Sequence, residues 1–137
     1  LEKNSEGCAL NANSKKRAIL FLNESHSMEP LVEALGGDGF EVFAAGDLEA
    51  GVSEHRREPF QLAIVEDGYR SFSAPTIVQE LLKISWTTHS IIVTDKDEDE
   101  LHEQAEGLGI LGGLKDPHDM RRLNELLMTL RKILGEA

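Results

Sequence analysis

The chain has 137 residues, 40% of them hydrophobic and 28% charged, which suffices for one domain with its own core. Its 25 acidic against 14 basic residues give a formal charge of −11, which repels a phosphate backbone and anionic lipid, so the expectation is no nucleic acid, no membrane and protein partners. A single cysteine, Cys8, excludes an internal disulfide or thiolate cluster and fits a reducing cytoplasm, and no apolar stretch approaches the roughly 18 residues of a membrane span.

The opening Leu1-Glu2-Lys3-Asn4 has neither an initiator Met nor the basic-then-apolar layout of a signal peptide. The expectation is a segment excised from a longer protein, with an effector or sensor domain outside it. Residues 1–16 are polar without a hydrophobic period and read as a linker or disordered lead-in to a domain over 17–137.

Residues 18–22 form a short, nearly continuous apolar run, the pattern of a strand buried on both faces, and end at Asn23-Glu24. A helix follows from about Met28, capped by Ser27, with Pro30 in its first turn and Gly36-Gly37 as its stop. Residues 40–45 read as strand two. Asp47 caps a second helix through about Arg57, and Leu62 to Val65 form strand three, which ends at Glu66. Ile77 to Ile84 carry a helical pattern after Pro75, and residues 90–94 make strand four. Leu101, Ala105 and Leu108 space a fourth helix, and Ile110 to Leu114 form a glycine-weakened fifth strand. The last helix spans about His118 to Leu134, with Met120, Leu123, Leu127, Leu130 and Leu134 on one stripe.

Five strands alternating with five helices predict a three-layer α/β/α, doubly wound parallel sheet of flavodoxin-like type, with function gathered at the carboxyl ends of the strands. At that edge stand Asn23, Glu24, Glu66, Asp67, Thr94 and Lys115. His26 and His118 should lie nearby, where solvation is the simpler reading than metal ligation or proton relay. His55, His89 and His102 read as helix-surface or opposite-edge residues. Gly36-Gly37-Asp38-Gly39-Phe40 superficially resembles the diguanylate cyclase signature, but it follows a helix and precedes a strand, so a helix stop plus turn explains it. Asp95-Lys96-Asp97-Glu98-Asp99-Glu100 reads as an exposed first helical turn, its carboxylates complementing the helix dipole.

From about Arg17 to Leu134 the chain resembles a response-regulator receiver domain of two-component phosphorelay signalling, in the number and length of its elements and in the polar residues ending strands one, three, four and five. The resemblance implies the strand order 2-1-3-4-5. It places the phosphoacceptor at Glu66, the paired acids that hold Mg²⁺ at Asn23-Glu24, and the metal-facing carbonyl at Gly68. The phosphate-reading hydroxyl falls on Thr94, followed by Asp95 where a small residue is usual. The Lys-Pro pair becomes Lys115-Asp116-Pro117, so either Lys115 or Asp116 takes the lysine position. The switching aromatic of strand five is matched by Gly113, the Met-Pro pair by Tyr69-Arg70 and the later loop glycine by Ala74.

These departures imply a degenerate receiver. A glutamate carboxylate reaches more than about 1 Å beyond an aspartate's, and a misplacement of that size costs roughly 10²-fold in a reaction that depends on alignment. As a mimic of phosphate, Glu66 supplies one charge where phosphate carries about −1.5 to −2. The resemblance therefore implies a non-enzymatic interaction module needing no cofactor, with Glu24, Glu66, Asp67 and Asn23 as an acidic pocket and Thr94 and Lys115 as remnants. Its partner would be a histidine kinase, an effector domain or another receiver. A homodimer through helix four, strand five and helix five would set the acidic run against Arg121, Arg122, Arg131 and Lys132. One alternative is a phosphorylatable receiver in which Glu24, Glu66 and the Gly68 carbonyl hold Mg²⁺ weakly and Glu66 or Asp67 accepts phosphate. Less favoured is a small flavodoxin-like cofactor-binding protein, which lacks its phosphate loop here.

Overall fold

A computed structural model describes residues 16–23 and 28–135. The elements run β1 Lys16–Phe21, α1 Glu29–Gly37, β2 Phe40–Ala44, α2 Leu48–Arg57, β3 Leu62–Glu66, a 3₁₀ turn Tyr69–Ser71, α3 Ala74–Ile84, β4 His89–Val93, α4 Glu98–Ala105, β5 Ile110–Leu114 and α5 Met120–Ile133. The five strands form one parallel sheet in the order β2-β1-β3-β4-β5, the order expected.

Strand residues alternate between two cores, which sorts the helices into layers. Ala18, Leu20, Leu62, Ile64, Ile91 and Val93 pack under α1 and α5 through Leu31, Leu35, Leu123, Leu127 and Leu130. Ile19, Phe21, Ala63, Val65 and Ile92 face the other way, against Ile77, Val78 and Leu81 of α3 and Leu101 of α4. The central strands are covered on both sides, and their unbroken apolar runs follow from that. Helix α2 comes unusually close: a Cβ on Gly51 would sit 2.5 Å from the Phe21 ring. Glycine costs about 1 kcal/mol of helix propensity, and the close approach of ring and helix backbone requires it.

Most caps act as expected. Asp47 accepts from Ala50 N and opens α2. Asp97 and Glu100 form a reciprocal capping box on α4, so the acidic run is a helix start. The glycine signature is a stop and turn, with Gly39 in the left-handed region at φ 94°. Three boundaries move. Ser73 caps α3 and Asp119 caps α5, so the first begins earlier and the second later than the apolar periods indicate. Helix α4 ends at Ala105, leaving Leu108 in the following turn. The α1 cap is Met28, without a side-chain bond, and Ser27 lies outside the described residues.

His55 is a correction to the surface expectation, for it is fully buried. Its Nδ1 accepts the Phe60 N–H at 3.0 Å, which leaves Nε2–H to donate to the Leu81 carbonyl at 3.1 Å. The ring also stacks on Phe60 at 5.8 Å. A flanking sequence of charged residues hid a histidine that joins α2 to α3. Beside it, buried Arg17 stacks on Phe60 at 4.2 Å and pairs with Glu41 at 3.2 Å and Glu54 at 2.7 Å. No helix among the described residues is long and apolar enough to cross a membrane.

Candidate functional site

The carboxyl edge is built around the end of β3. Glu66 is paired in register with Val93 of β4, so its side chain leaves the sheet where the strand stops. The backbone N–H of Asn23, just past β1, donates to Glu66 Oε1 at 2.9 Å. Glu66 thus ties β3 to β1 across the edge. Asp67 points elsewhere. Its Oδ1 accepts the N–H of Ala74, the first residue of α3, at 2.9 Å, and its Oδ2 lies 3.4 Å from Lys96 Nζ.

Glu66, Asp67, Val93, Thr94, Asp95, Lys96 and Lys115 line one cavity of about 410 Å³. Three carboxylates there face two ammonium groups. Thr94 is nearly buried, donates its backbone N–H to Leu114 O at 2.8 Å, and accepts the Lys96 N–H on its hydroxyl at 3.2 Å. Lys115 lies on the cavity wall, whereas Asp116 turns to accept the His118 N–H at 2.8 Å. The structure therefore brings Glu66, Asp67, Thr94 and Lys115 together. Glu24 and His26 lie outside the described residues. His118 is exposed beyond the cavity lining.

The turn after Glu66 is rigidly made. Gly68 adopts φ 90°, and the non-glycine residues Arg70 and Ser71 follow at φ 51° and φ 72°, a conformation costing of order 1–3 kcal/mol per residue. Tertiary bonds hold it. Tyr69 is buried, its ring edge-on to Phe21 at 5.6 Å and its hydroxyl donating to Ala45 O at 3.3 Å, while Arg70 donates to Gly46 O at 2.6 Å. The Gly68 carbonyl accepts the Ser71 N–H at 2.9 Å inside this turn.

These commitments bear on Mg²⁺. Among the described residues no three His, Cys, Asp or Glu side chains gather as a metal site. The Asp67 oxygens meet Ala74 and Lys96, and the Gly68 carbonyl meets Ser71. Of the three Mg²⁺ ligands expected, Glu66 and the Gly68 carbonyl stand at this edge and each accepts a backbone N–H, while Glu24 lies outside the described residues.

At β5 the site meets its neighbouring helices. A Cβ on Gly113 would lie 2.8 Å from Leu101 Cδ2, so α4 occupies the volume a strand-five side chain would need. Arg122 of α5 donates to Gly113 O at 3.2 Å and pairs with Glu98 at 3.2 Å and Glu125 at 3.1 Å. Arg131 pairs with Asp38. Two of the four cations expected to face a second copy are thus engaged within the chain. Two residues whose part at the edge the sequence pattern does not reveal are Tyr69, the chain's one tyrosine, three residues past the end of β3, and Lys96, a lone cation in an acidic run.

A five-stranded, doubly wound parallel sheet in this order, flanked by five helices, is the CheY-like receiver fold. Solved structures of that fold match closely in shape. A two-component response regulator from Clostridium difficile superposes with a TM-score of 0.73 at 14% identity, over 88% of this chain and 99% of that one. A response regulator receiver domain protein from Clostridium thermocellum gives 0.70 at 21% identity, over 87% and 98%. A chain of the CheX–CheY–BeF3–Mg²⁺ complex from Borrelia burgdorferi gives 0.70 at 12% identity, over 84% and 88%. No protein-family model matches the sequence, and no curated protein is similar to it.

Proposed function

We propose that the chain is a degenerate receiver: a non-enzymatic, cytoplasmic signalling module that docks a protein partner, without aspartyl phosphorylation and without a required cofactor. The observation that carries this reading is the employment of the acceptor-position carboxylate in structure, Asn23 N–H to Glu66 Oε1, with Asp67 beside it engaged by Ala74 and Lys96. An in-line phosphoryl transfer needs a carboxylate oxygen and a metal aligned on the donor. Here the acid has the wrong length and the neighbouring oxygens have other partners.

Thr94 and Lys115 then serve as parts of a charged pocket that shapes the edge. The partner is a histidine kinase, an effector domain or another receiver, the kind of protein contact that the CheX–CheY complex illustrates for a similar fold. A second copy would meet the α4–β5–α5 face through Arg121 and Lys132, the two cations of the expected four that remain after the internal pairs of Arg122 and Arg131.

The test is intact mass after incubation with a small phosphodonor and Mg²⁺, joined to amide NMR with beryllofluoride. The expected result is an unmodified mass and no shift spreading from Glu66 to α5. A phosphoryl adduct would overturn the reading in favour of a phosphorylatable receiver using Glu66 or Asp67. Bound flavin in the purified protein would favour a cofactor carrier instead.

A further inference from the structure

The acidic edge carries its own cation. Lys96 follows the end of β4, and its side chain runs back across the cavity to place Nζ 3.4 Å from Asp67 Oδ2 and 2.8 Å from Gln104 Oε1. Its backbone N–H is fixed on the Thr94 hydroxyl at 3.2 Å, so the stem starts from an anchored position. One residue thus joins the turn after β3, the end of β4 and the body of α4. Asp67 is anchored from its other oxygen by Ala74 N–H at 2.9 Å, so the ammonium meets a carboxylate that cannot swing away without giving up its bond to the first residue of α3.

We propose that Lys96 is a resident counter-ion for the Asp67 carboxylate, and that it fastens the β3–α3 turn to α4 without any ligand. The inference rests on reading the chain as phosphorylation-independent and names what holds the pocket in that case. An ammonium suits this position because it is a point charge with three donors on a flexible stem, matched by carboxylate and amide oxygens. A metal at the same carboxylate would have to displace it or bear its repulsion, because like charges at a few ångströms oppose one another strongly in a partly enclosed site. The side chains of Lys96 and Asp67 are 35% and 26% exposed, so the pair is shielded from solvent more than a surface ion pair.

The consequence is an Asp67 carboxylate that already has its counter-ion and a turn tied to α4. Two further contacts brace α4: Leu101 fills the space beside Gly113, and Glu98 pairs with Arg122 at 3.2 Å. The turn that would sense a phosphoryl group and the helix that would report it are already joined by a side chain.

Mn²⁺ titration of the ¹⁵N-labelled protein tests this through paramagnetic broadening of amides. Three proteins are compared: wild type, Lys96→Met, which keeps the stem and removes the charge, and Lys96→Arg, which keeps the charge. Wild type and Lys96→Arg should show no localised broadening at Glu66 to Gly68. Lys96→Met should show it at Mn²⁺ concentrations at least roughly tenfold lower than either. Before any metal is added, the Gln104 side-chain amide should move in Lys96→Met and return towards its wild-type position in Lys96→Arg. Equal Mn²⁺ response in wild type and Lys96→Met, or tight localised binding in wild type, overturns the proposal. Failure of this titration with an unmodified mass after phosphodonor treatment removes only the role of Lys96. A phosphoryl adduct on the wild type removes the functional reading beneath it.

Discussion

The Asn23 backbone N–H donates to Glu66 Oε1 at 2.9 Å, so the acid that ends β3 joins two strand ends. The bond spans 43 residues of sequence and closes the edge between β1 and β3.

Substitution at Glu66 should separate this structural part from any signalling part. Glu66→Gln keeps an oxygen acceptor and should cost less than about 1 kcal/mol, whereas Glu66→Ala should cost about 1–2 kcal/mol, since hydrogen bonds to charged groups contribute more than neutral ones. Urea midpoints measure both. If the charge is read by a partner, Glu66→Gln weakens binding while leaving stability nearly intact, and unchanged affinity in a partner titration would sink that idea.

Stability should depend on pH through His55. Burial is the largest influence and pushes its pKa below the ordinary 6.5; the Leu81 carbonyl works against that shift, and the charge of Arg17 adds to it. The folded state therefore binds a proton less readily than the unfolded chain, so acid favours unfolding. The full contribution of His55 is present above about pH 6.5 and is lost as pH falls through the lower folded-state value. Urea midpoints should be flat from about pH 8 to 7 and decline as the pH falls below about 6.5. His55→Gln, which can still donate and accept, should be less stable at about pH 8 and show a shallower decline.

Arg17 should matter more than a surface charge and less than a fully enclosed one. Its side chain is 5% exposed, yet the Glu41 partner is 52% exposed, so water can solvate what the arginine leaves behind. Arg17→Met should cost about 2 kcal/mol, below the roughly 3–5 kcal/mol typical of breaking a fully buried pair. Thermal or urea unfolding distinguishes these values, and a loss under about 0.5 kcal/mol would reduce the cluster to a surface network.

The layers of this fold were legible because central strands of a parallel sheet must be apolar throughout, and residues 18–22, 62–65 and 91–93 obey that rule without a break. Glu66, Thr94 and Lys115 were legible for the same reason: a polar residue ending such a run must stand at the sheet edge. What the edge does with them was not. Asp67 bonds Ala74 through a turn containing two left-handed non-glycine residues, and no local pattern encodes that path. Lys96 sits among acids and reads as a solvated residue until α4 folds back and brings Gln104 to it. His55 lies in a charged stretch, and only the approach of the Leu81 carbonyl reveals it as core.

Trp86 offers a check on the loop before β4. It is the chain's one tryptophan and is 83% exposed, so its indole is already in water in the folded state. Its emission maximum should shift little on complete unfolding in urea, while circular dichroism reports a full transition. A large red shift on unfolding would mean the indole is covered in solution.

Gly113 tests how tightly α4 packs on strand five. A Cβ there would stand 2.8 Å from Leu101 Cδ2 and 3.5 Å from the Ile92 carbonyl, so Gly113→Tyr must displace α4 or strain β5. Overpacking of this kind costs typically about 1–3 kcal/mol. The loss should fall chiefly on α4, appearing as faster amide exchange over Glu98 to Ala105 with α5 amides still protected. Leu101→Ala removes the clashing methyls, so the double variant should recover part of what Gly113→Tyr loses, giving a favourable coupling of at least about 0.5 kcal/mol in a double-mutant cycle. Additive losses would show that the volume beside Gly113 is not the one Leu101 fills. In that case α4 would be more mobile than its contacts through Gln104 and Glu98 imply.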